Sequence, residues 1–352
     1  MVFTTERIVC SLADLLYNFD QIPGGAAHHV DFFETNGALS EIEMSRAFLL
    51  LAQGVQYLHN VQRRLHVNIC PESVVITSSG LWKLCGFGFS LDFAQGDLQR
   101  IASPYFLKQG NRDVRLEPDL MFAAPECTDG GYNPPGTRYL SPACDAFSLS
   151  LLFYEVYRFN LRMSSRDRAH FVPTVNITYN DASQHILALD ALRQADYSFL
   201  PSGIDRLITN LLQLNTQVRL NINDIVTNAY FVTGSQAVIN TLESIGGKDI
   251  GTQSSQLLAL ERQIGDFPAR VLKFIVLPTV GLLCIQNPAL WEFALSLHET
   301  LSKLMPVEQY KVIAAPYIAA GLAVTTPPET VQSFLFNIKF VARTFDSQFF
   351  QV

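Results

Sequence analysis

HVNICPES at residues 66–73, followed by KLCGFG at residues 83–88, is the part of the sequence that decides the fold. Between the two stretches lie β-rich runs at residues 73–77 and 81–84, joined by SSG at 78–80. Two such runs around a short Gly-containing turn predict a β-hairpin. The two quoted stretches therefore flank a hairpin, and their polar residues are the first candidates for a site.

A helix is predicted just before the first loop. Ser40 and Glu43 have the spacing of a capping box, in which each side chain satisfies a free N–H at the start of a helix. Apolar residues then recur with helical period, and the pattern ends near Asn60. The apolar positions are Phe48, Leu51, Ala52, Val55 and Leu58.

Three further features follow in order along the chain. Ala-Pro-Glu stands at residues 124–126, and the run DAFSLSLLFYEVY at residues 145–157 is apolar almost all round. Such a helix is usually central and buried. Arg219 then lies between helices predicted over 204–214 and 222–229. The ordered set is far more specific than any one of its members.

The sequence after residue 231 predicts one helix after another. Asn287-Pro288 and Pro327 mark helix starts, where proline needs no N–H partner. RVLKFIVLPTVGLL around Pro278 is similar to EQYKVIAAPYIAAGL around Pro316, and the two prolines are 38 residues apart. This offset is close to the roughly 40-residue period of HEAT-type repeats. A plain helical bundle is the alternative.

Composition narrows the class of protein. A chain of 352 residues predicts two domains, and an apolar fraction of 48% supports large buried cores. A net charge of −7, without a basic cluster, argues against a nucleic-acid partner. Six scattered cysteines without a CxxC pair indicate reduced thiols rather than disulfides or a zinc site.

Neither a signal peptide nor a membrane span is predicted. The N-terminus lacks a basic segment followed by an apolar one. The most apolar run, residues 271–285, contains Lys273 and Pro278 and is shorter than the roughly 20 residues that a membrane-spanning helix needs. We therefore expect a buried helix there.

Taken in order, these motifs resemble the C-terminal lobe of a eukaryotic protein kinase. HVNICPESVVI and LWKLCGFGFSLDF are similar to the degenerate loops of the SCY-like, or amino-terminal kinase-like, pseudokinase family, in particular its branch associated with clathrin-coated vesicles. FTTERIVCSLADLL is similar to the family's hinge region, and RVLKFIVLPTVGLL to its first repeats. The resemblance covers nearly the whole chain.

The resemblance implies a mainly α fold. A protein-kinase-like C-terminal lobe, α with small β-hairpins, is expected over residues 1–232, followed by HEAT-type α-helical repeats over residues 233–352. The chain begins at the equivalent of the last N-lobe strand, so we expect the N-terminal lobe to be missing. We also expect the repeat segment to be truncated.

The resemblance also implies five architectural residues. His66 is expected beneath the loop that binds metal in kinases, with Phe87 packed against it. Asp145 is expected to hold the backbone of the 66–73 loop. Glu126 and Arg219 are expected to form a buried ion pair, which is costly to break from one side.

The residues that would perform the chemistry are replaced. Asn68 stands where a kinase has the Asp that accepts the substrate proton, and Ser73 and Gly86 stand where it has two metal ligands. Cys70 replaces a Lys near the transferred phosphate, and Gly88 closes the degenerate metal loop. Because Mg²⁺ prefers carboxylate ligands in octahedral geometry, we expect no catalytic residue, no metal site and no bound ATP or Mg²⁺.

The function implied by the resemblance is that of a catalytically inactive scaffold in vesicle traffic between Golgi and endosomes. Its expected partners are proteins of the clathrin coat or its adaptors, at the cytoplasmic side of Golgi, endosome or clathrin-coated vesicle membranes. One alternative is an active or residually ATP-binding kinase that uses Glu72 or Asp92 as substitute metal ligands. Another is a helical-repeat scaffold unrelated to membrane traffic.

Overall fold

The chain forms two units in the computed structural model, Met1–Phe231 and Val232–Val352. The residues that the structure describes are 6–17, 39–93, 118–128, 140–164, 172–177 and 182–345.

In the described part of the first unit, two small antiparallel sheets frame the loops. β1 (Ile8–Ser11) pairs with β3 (Val74–Thr77), which pairs with β4 (Trp82–Leu84), in the order β1-β3-β4. β2 (Arg64–Leu65) pairs with β5 (Leu91–Asp92). The hairpin predicted between the two loops is therefore present as β3 and β4. It brings the start of the second loop back beside the end of the first.

The helices of the first unit follow from local signals and from burial. Among the described residues they are α1 (Leu12–Tyr17), α2 (Glu41–Asn60), α3 (Pro142–Ser164), α4 (Ala182–Leu189), α5 (Ile204–Leu211) and α6 (Ile222–Val226). The predicted capping box opens α2: the Ser40 hydroxyl accepts the Glu43 N–H, and the Glu43 carboxylate accepts the Ser40 N–H at 2.8 Å. The helix ends at Asn60, as predicted.

Helix α3 is central to the first unit. Phe153 on α3 stacks on Phe48 of α2, with ring centroids 4.3 Å apart, and the edge of Phe231 packs on Phe48. The buried Glu155 carboxylate on the same helix accepts from the Arg158 side chain and from the Thr174 N–H at 2.7 Å. Burial on every face explains why the sequence of this helix is almost uniformly apolar.

The second unit is helical in its described part. Its helices are α7 (Gly234–Ser244), α8 (Ile250–Gln263), α9 (Ala269–Val271), α10 (Leu277–Gln286), α11 (Trp291–Leu304), α12 (Val307–Leu322), α13 (Pro328–Phe336) and α14 (Ile338–Thr344), with a π-helical turn at Leu272–Val276. The helical C-terminal region predicted from the sequence is therefore confirmed.

The two proline-containing segments that resemble each other lie on helices that pack together. Pro278 is in the first turn of α10, and Pro316 is inside α12. A Cβ atom on Gly281 would lie 2.4 Å from the ring of Tyr317, so only glycine allows this approach of α10 to α12.

The continuous helical segment Ala269–Gln286 is long and apolar enough to cross a membrane by length and composition alone. Half of that window is buried inside the protein.

Candidate functional site

The candidate site is the pair of loops on either side of the β3–β4 hairpin, and Asp145 on α3 anchors it. Its carboxylate accepts the backbone N–H of His66 at 2.7 Å and that of Val67 at 2.8 Å. It also accepts a hydrogen bond from His59 Nε2 at 2.8 Å. Burial alone would raise the pKa of Asp145, but the hydrogen bond and charge of His59, together with the hydrogen bond from the His66 N–H, hold that pKa below its ordinary value.

The loop that Asp145 holds is strained at Val67. This residue has φ of +66°, in the left-handed region that a β-branched side chain rarely adopts. Such a conformation costs on the order of 1–3 kcal/mol and persists only where its surroundings over-determine it. The hydrogen bond from the Val67 N–H to Asp145 and the burial of the Val67 side chain supply that constraint.

His66 and Phe87 lie together, as the resemblance implied. Their ring centroids are 4.9 Å apart, and the Phe87 ring remains 49% exposed. His66 Nε2 donates to the Cys85 carbonyl at 2.9 Å, while Nδ1 accepts the Asn68 N–H at 3.4 Å. Burial lowers the pKa of His66, which favours this neutral tautomer. The imidazole therefore joins the two loops.

Asn68 is occupied by a structural contact. Its Oδ1 atom accepts the backbone N–H of Asp119 at 2.8 Å, and Asp119 Oδ1 in turn accepts the Met121 N–H at 2.8 Å. An uncharged amide oxygen cannot act as a general base near neutral pH, because its conjugate acid is far too strong. Asn68, at the position where a kinase has its proton acceptor, thus connects the segment 118–128 to the first loop through this hydrogen bond.

Ser73 and Gly86 are likewise committed to local structure. Ser73 Oγ accepts the Cys70 N–H and donates to the Cys70 carbonyl, both at 2.9 Å. Gly86 has φ of +76°, and a Cβ atom there would lie 3.4 Å from Ser73 Cβ. Gly88 differs, since a Cβ atom there would meet nothing within 4 Å.

Cys70, Glu72 and Asp119 form the acidic part of the site. Their ligand atoms all lie within 4.8 Å of one another, a spacing that would allow one metal ion to be held. Burial raises the pKa of the Cys70 thiol, and raises that of Asp119 to about 6 with a further contribution from Glu72. The other substitute ligand considered from the sequence, Asp92, pairs instead with Arg64 at 3.2 Å and does not belong to this group.

The structure brings Glu126 and Arg219 together in a buried ion pair with two hydrogen bonds. Arg219 Nη1 lies 2.5 Å from Glu126 Oε1, and Nη2 lies 3.0 Å from Oε2. The same guanidinium donates to the carbonyls of Gln213, Leu214 and Ala143. Two of these carbonyls, those of Gln213 and Leu214, follow the end of α5, which lies at Leu211 rather than at residue 214 as predicted.

Three residues of the site were missed by reasoning from the sequence. His59 forms a hydrogen bond with the Asp145 carboxylate, and the Asp119 N–H donates to Asn68 Oδ1.

The third is His185, which donates from Nε2 to the Ala123 carbonyl at 3.0 Å, while its Nδ1 accepts the Thr128 hydroxyl at 3.0 Å. Burial lowers the pKa of His185 to about 4, so the residue is neutral at pH 7. The sequence signal that could have revealed His59 is a polar residue at the end of an otherwise buried helix.

The fold and this pair of loops define a protein-kinase-like domain, and comparison with known families agrees. The model of the protein kinase domain family matches residues 13–231, which is more than half of the chain. The chain therefore belongs to the protein kinase domain family.

Among its relatives the chain is similar to SCY-like proteins, which confirms the resemblance found in the sequence. It is 21% identical to mouse SCY1-like protein 2 over 339 residues, covering 95% of this chain and 34% of that one. It is 25% identical to the Saccharomyces cerevisiae protein kinase-like protein SCY1, covering 79% and 32% of the two chains. It is also 25% identical to the Schizosaccharomyces pombe protein kinase domain-containing protein ppk32, covering 80% and 35%. The chain thus spans about a third of the length of these relatives.

Proposed function

We propose that this protein is a catalytically inactive, protein-kinase-like scaffold that acts by binding other proteins in clathrin-dependent vesicle traffic between Golgi and endosomes. The observation that carries the proposal is the state of the three positions where a kinase places its proton acceptor and metal ligands. Asn68, Ser73 and Gly86 supply no carboxylate, and the first two have their side chains engaged in internal hydrogen bonds.

Charge supports the same proposal. A transferred phosphoryl group needs positive charge around it, from metal ions and from basic side chains. The loop offers Cys70 where a Lys is expected, and the carboxylates of Glu72 and Asp119 lie beside it. With a pKa of about 6, Asp119 is mostly ionised at pH 7. The phosphates of a nucleoside triphosphate would therefore lie near the negative carboxylates of Glu72 and Asp119, which the described residues of the site do not neutralise.

The trafficking part of the proposal rests on the family. The resemblance to the branch associated with clathrin-coated vesicles implies binding of coat or adaptor proteins at the cytoplasmic face of Golgi, endosome or vesicle membranes. The helical second unit suits this role, because stacked helices offer extended surfaces for protein partners. No nucleic-acid partner is proposed, in keeping with the net charge of −7.

A residual metal-dependent kinase is the second candidate, favoured by the Cys70, Glu72 and Asp119 cluster. Thermal unfolding of the chain with Mg·ATP, and separately with Mg²⁺ alone, distinguishes the two functions. Mg·ATP that binds the folded chain, at about a hundred times its Kd, would stabilise the chain by roughly 2.7 kcal/mol and so raise the Tm. We expect no shift of Tm with millimolar Mg·ATP and no transfer of labelled phosphate to a generic protein substrate. A reproducible shift that needs both nucleotide and metal would support the kinase instead.

The binding partner is tested by co-precipitation of the purified chain with purified clathrin and adaptor proteins. We expect retention of at least one coat component, with bovine serum albumin as the control. Equal recovery of albumin and of every coat component would remove the trafficking role and leave a helical-repeat scaffold of another kind.

A further inference from the structure

A cleft lies between two helices of the second unit, α7 and α8. The short connection 245–249 joins the two helices, so they pack side by side as a hairpin. The cleft has a volume of about 230 Å³. Its buried lining is apolar and includes Leu242, Ile245 and Leu260, while Thr241 and Gln263 lie at its exposed edge. The cleft is therefore an apolar space that opens to solvent.

The cleft has the size and the charge of a site for a neutral aromatic group. Small residues line it on both helices, namely Gly234 and Ala237 on α7 and Ala259 on α8, where longer side chains would fill the space. None of the described residues that line it is charged. An apolar cavity of about 150 Å³ is large enough to bind benzene. At about 230 Å³, the cleft has room for a ring system larger than one benzene ring.

One polar atom of a residue that lines the cleft lacks a partner. Gln256 on α8 is this residue, and its Oε1 atom is buried and accepts no hydrogen bond from any residue that the structure describes. Gln253, one turn earlier on the same helix, differs: its Nε2 donates to the Ile245 carbonyl, and its Oε1 accepts from the Asn287 side chain, both at 3.1 Å. A buried polar atom without a partner is costly. The Gln256 oxygen therefore favours a ligand that brings a hydrogen-bond donor into the cleft.

We propose that this cleft binds a tryptophan side chain of a partner protein, whose indole N–H donates to Gln256 Oε1. An indole is a flat double ring with one donor and no acceptor, so it leaves no polar atom of its own unpaired in apolar surroundings. A phenol would add an acceptor, and a phenyl ring would bring no donor. A water molecule is held only by two to four polar partners, which the buried apolar lining does not offer.

The source of the indole, a protein, rests on the proposed function as a protein-binding scaffold. Tryptophan is enriched among the side chains that dominate the binding energy of protein interfaces, where such side chains fill well-packed pockets. The match of ring and donor depends only on the cleft and on Gln256.

Titration of the 352-residue chain with N-acetyl-L-tryptophanamide, followed by methyl NMR, tests the proposal. This probe presents the side chain between two amide groups, as a protein does. We expect saturable binding in the millimolar range, with shifts of the Leu242 and Leu260 methyl resonances. The 1-methyl derivative of the probe, in which a methyl group replaces the indole hydrogen, should bind about tenfold more weakly, because one hydrogen bond is lost.

Gln256→Leu removes the acceptor and should abolish the preference for the probe over its 1-methyl derivative. Gln332→Leu on α13 is the matched control: Gln332 is exposed and does not line the cleft, so its substitution should leave the preference unchanged. Circular dichroism of both variants confirms that the helical content is retained.

The proposal is overturned by the absence of saturable binding, by equal affinity of the natural chain for the two probes, or by a preference that Gln256→Leu leaves intact. Binding of free indole without binding of N-acetyl-L-tryptophanamide would also overturn it, since the cleft would then take a small molecule rather than a protein side chain. None of these measurements involves coat proteins or nucleotide. A failure here would therefore leave the proposed function to its own tests, and a failure of co-precipitation would leave the indole site intact.

Discussion

The carboxylate of Asp145 accepts the backbone N–H of Val67 at 2.8 Å and so helps to hold a β-branched residue in a left-handed conformation. Strain of this kind is usually found at sites where geometry matters. In this protein the strained conformation of Val67 is present although the next residue is Asn68. A kinase has at that position the aspartate whose carboxylate the loop geometry holds in place. The architecture of the loop is thus separable from its chemistry.

Breaking the Glu126–Arg219 ion pair from one side should destabilise the first unit strongly. Glu126→Gln leaves the buried guanidinium without its counter-charge, and we expect a loss of about 3–5 kcal/mol in the free energy of unfolding. Denaturant unfolding measures it through Trp82 fluorescence, in a chain where Trp291→Phe removes the other tryptophan. Asp92→Asn, which removes the exposed partner of Arg64 in the same unit, is the control and should cost less than about 1 kcal/mol. Equal losses in the two variants would refute the importance of burial here.

Two glycines of the second loop should respond differently to alanine. Gly86→Ala places a Cβ on a backbone with φ of +76° and 3.4 Å from Ser73 Cβ, so we expect a loss of about 1–2 kcal/mol. Gly88→Ala meets open space on a backbone that is not left-handed, and should be neutral or stabilising by up to about 1 kcal/mol. Both are measured by the same denaturant unfolding. A Gly88→Ala variant that is as unstable as Gly86→Ala would contradict the backbone explanation.

Asn68 should act through its acceptor oxygen alone. Asn68→Ala removes the partner of the Asp119 N–H and should cost about 1–2 kcal/mol, with faster hydrogen exchange at that amide. Asn68→Asp keeps an acceptor at the same position, so protection of the Asp119 amide should survive. Restoring this one carboxylate should also leave phosphoryl transfer undetectable, because Ser73 and Gly86 still supply no metal ligand. Activity in the Asn68→Asp variant would show that the remaining machinery is functional.

Acid should destabilise the second unit through His298. This fully buried imidazole donates or accepts one hydrogen bond with the Tyr310 hydroxyl at 3.0 Å, and burial lowers its pKa from 6.5 to about 4. Between those values the unfolded chain binds a proton at residue 298 that the folded unit does not, so stability falls as the pH falls. The loss should reach about 2–3 kcal/mol at pH 4.5.

The ring centroids of Trp291 and His298 are 5.4 Å apart, so Trp291 fluorescence reports the unfolding of the second unit. The measurement uses a chain in which Trp82→Phe removes the other tryptophan. His298→Gln is the control, since it keeps a polar side chain without the titration. Its stability should depend less on pH between 6.5 and 4.5 than that of the natural chain. An identical pH dependence in both proteins would place the titrating group elsewhere.

Signals that act over a few residues could be predicted from the sequence. The Ser40–Glu43 capping box and the β3–β4 hairpin depend on neighbours within one turn, and both appear where the pattern placed them. The family resemblance also predicted contacts between residues far apart in the sequence, such as Asp145 and the 66–73 loop. It could do so because the order of the motifs along the chain is typical of a fold whose topology is known.

Contacts made by single polar residues could not be predicted. Asp119 meets Asn68 across 51 positions, and His185 meets Ala123 across 62. A lone aspartate or histidine has the same appearance in a sequence whether it is buried or solvated, since no periodicity marks it. The end of α5 at Leu211 also escaped prediction, because the buried apolar residues continue through Leu212 to Leu214 beyond the end of the helix.

Every N–H of the Arg219 guanidinium is in use, two on the Glu126 carboxylate and three on the carbonyls of Gln213, Leu214 and Ala143. A lysine at this position would keep the positive charge but could satisfy at most three of the five acceptor contacts. A conservative exchange of Arg219 for lysine would therefore leave buried oxygen atoms of this chain without a donor.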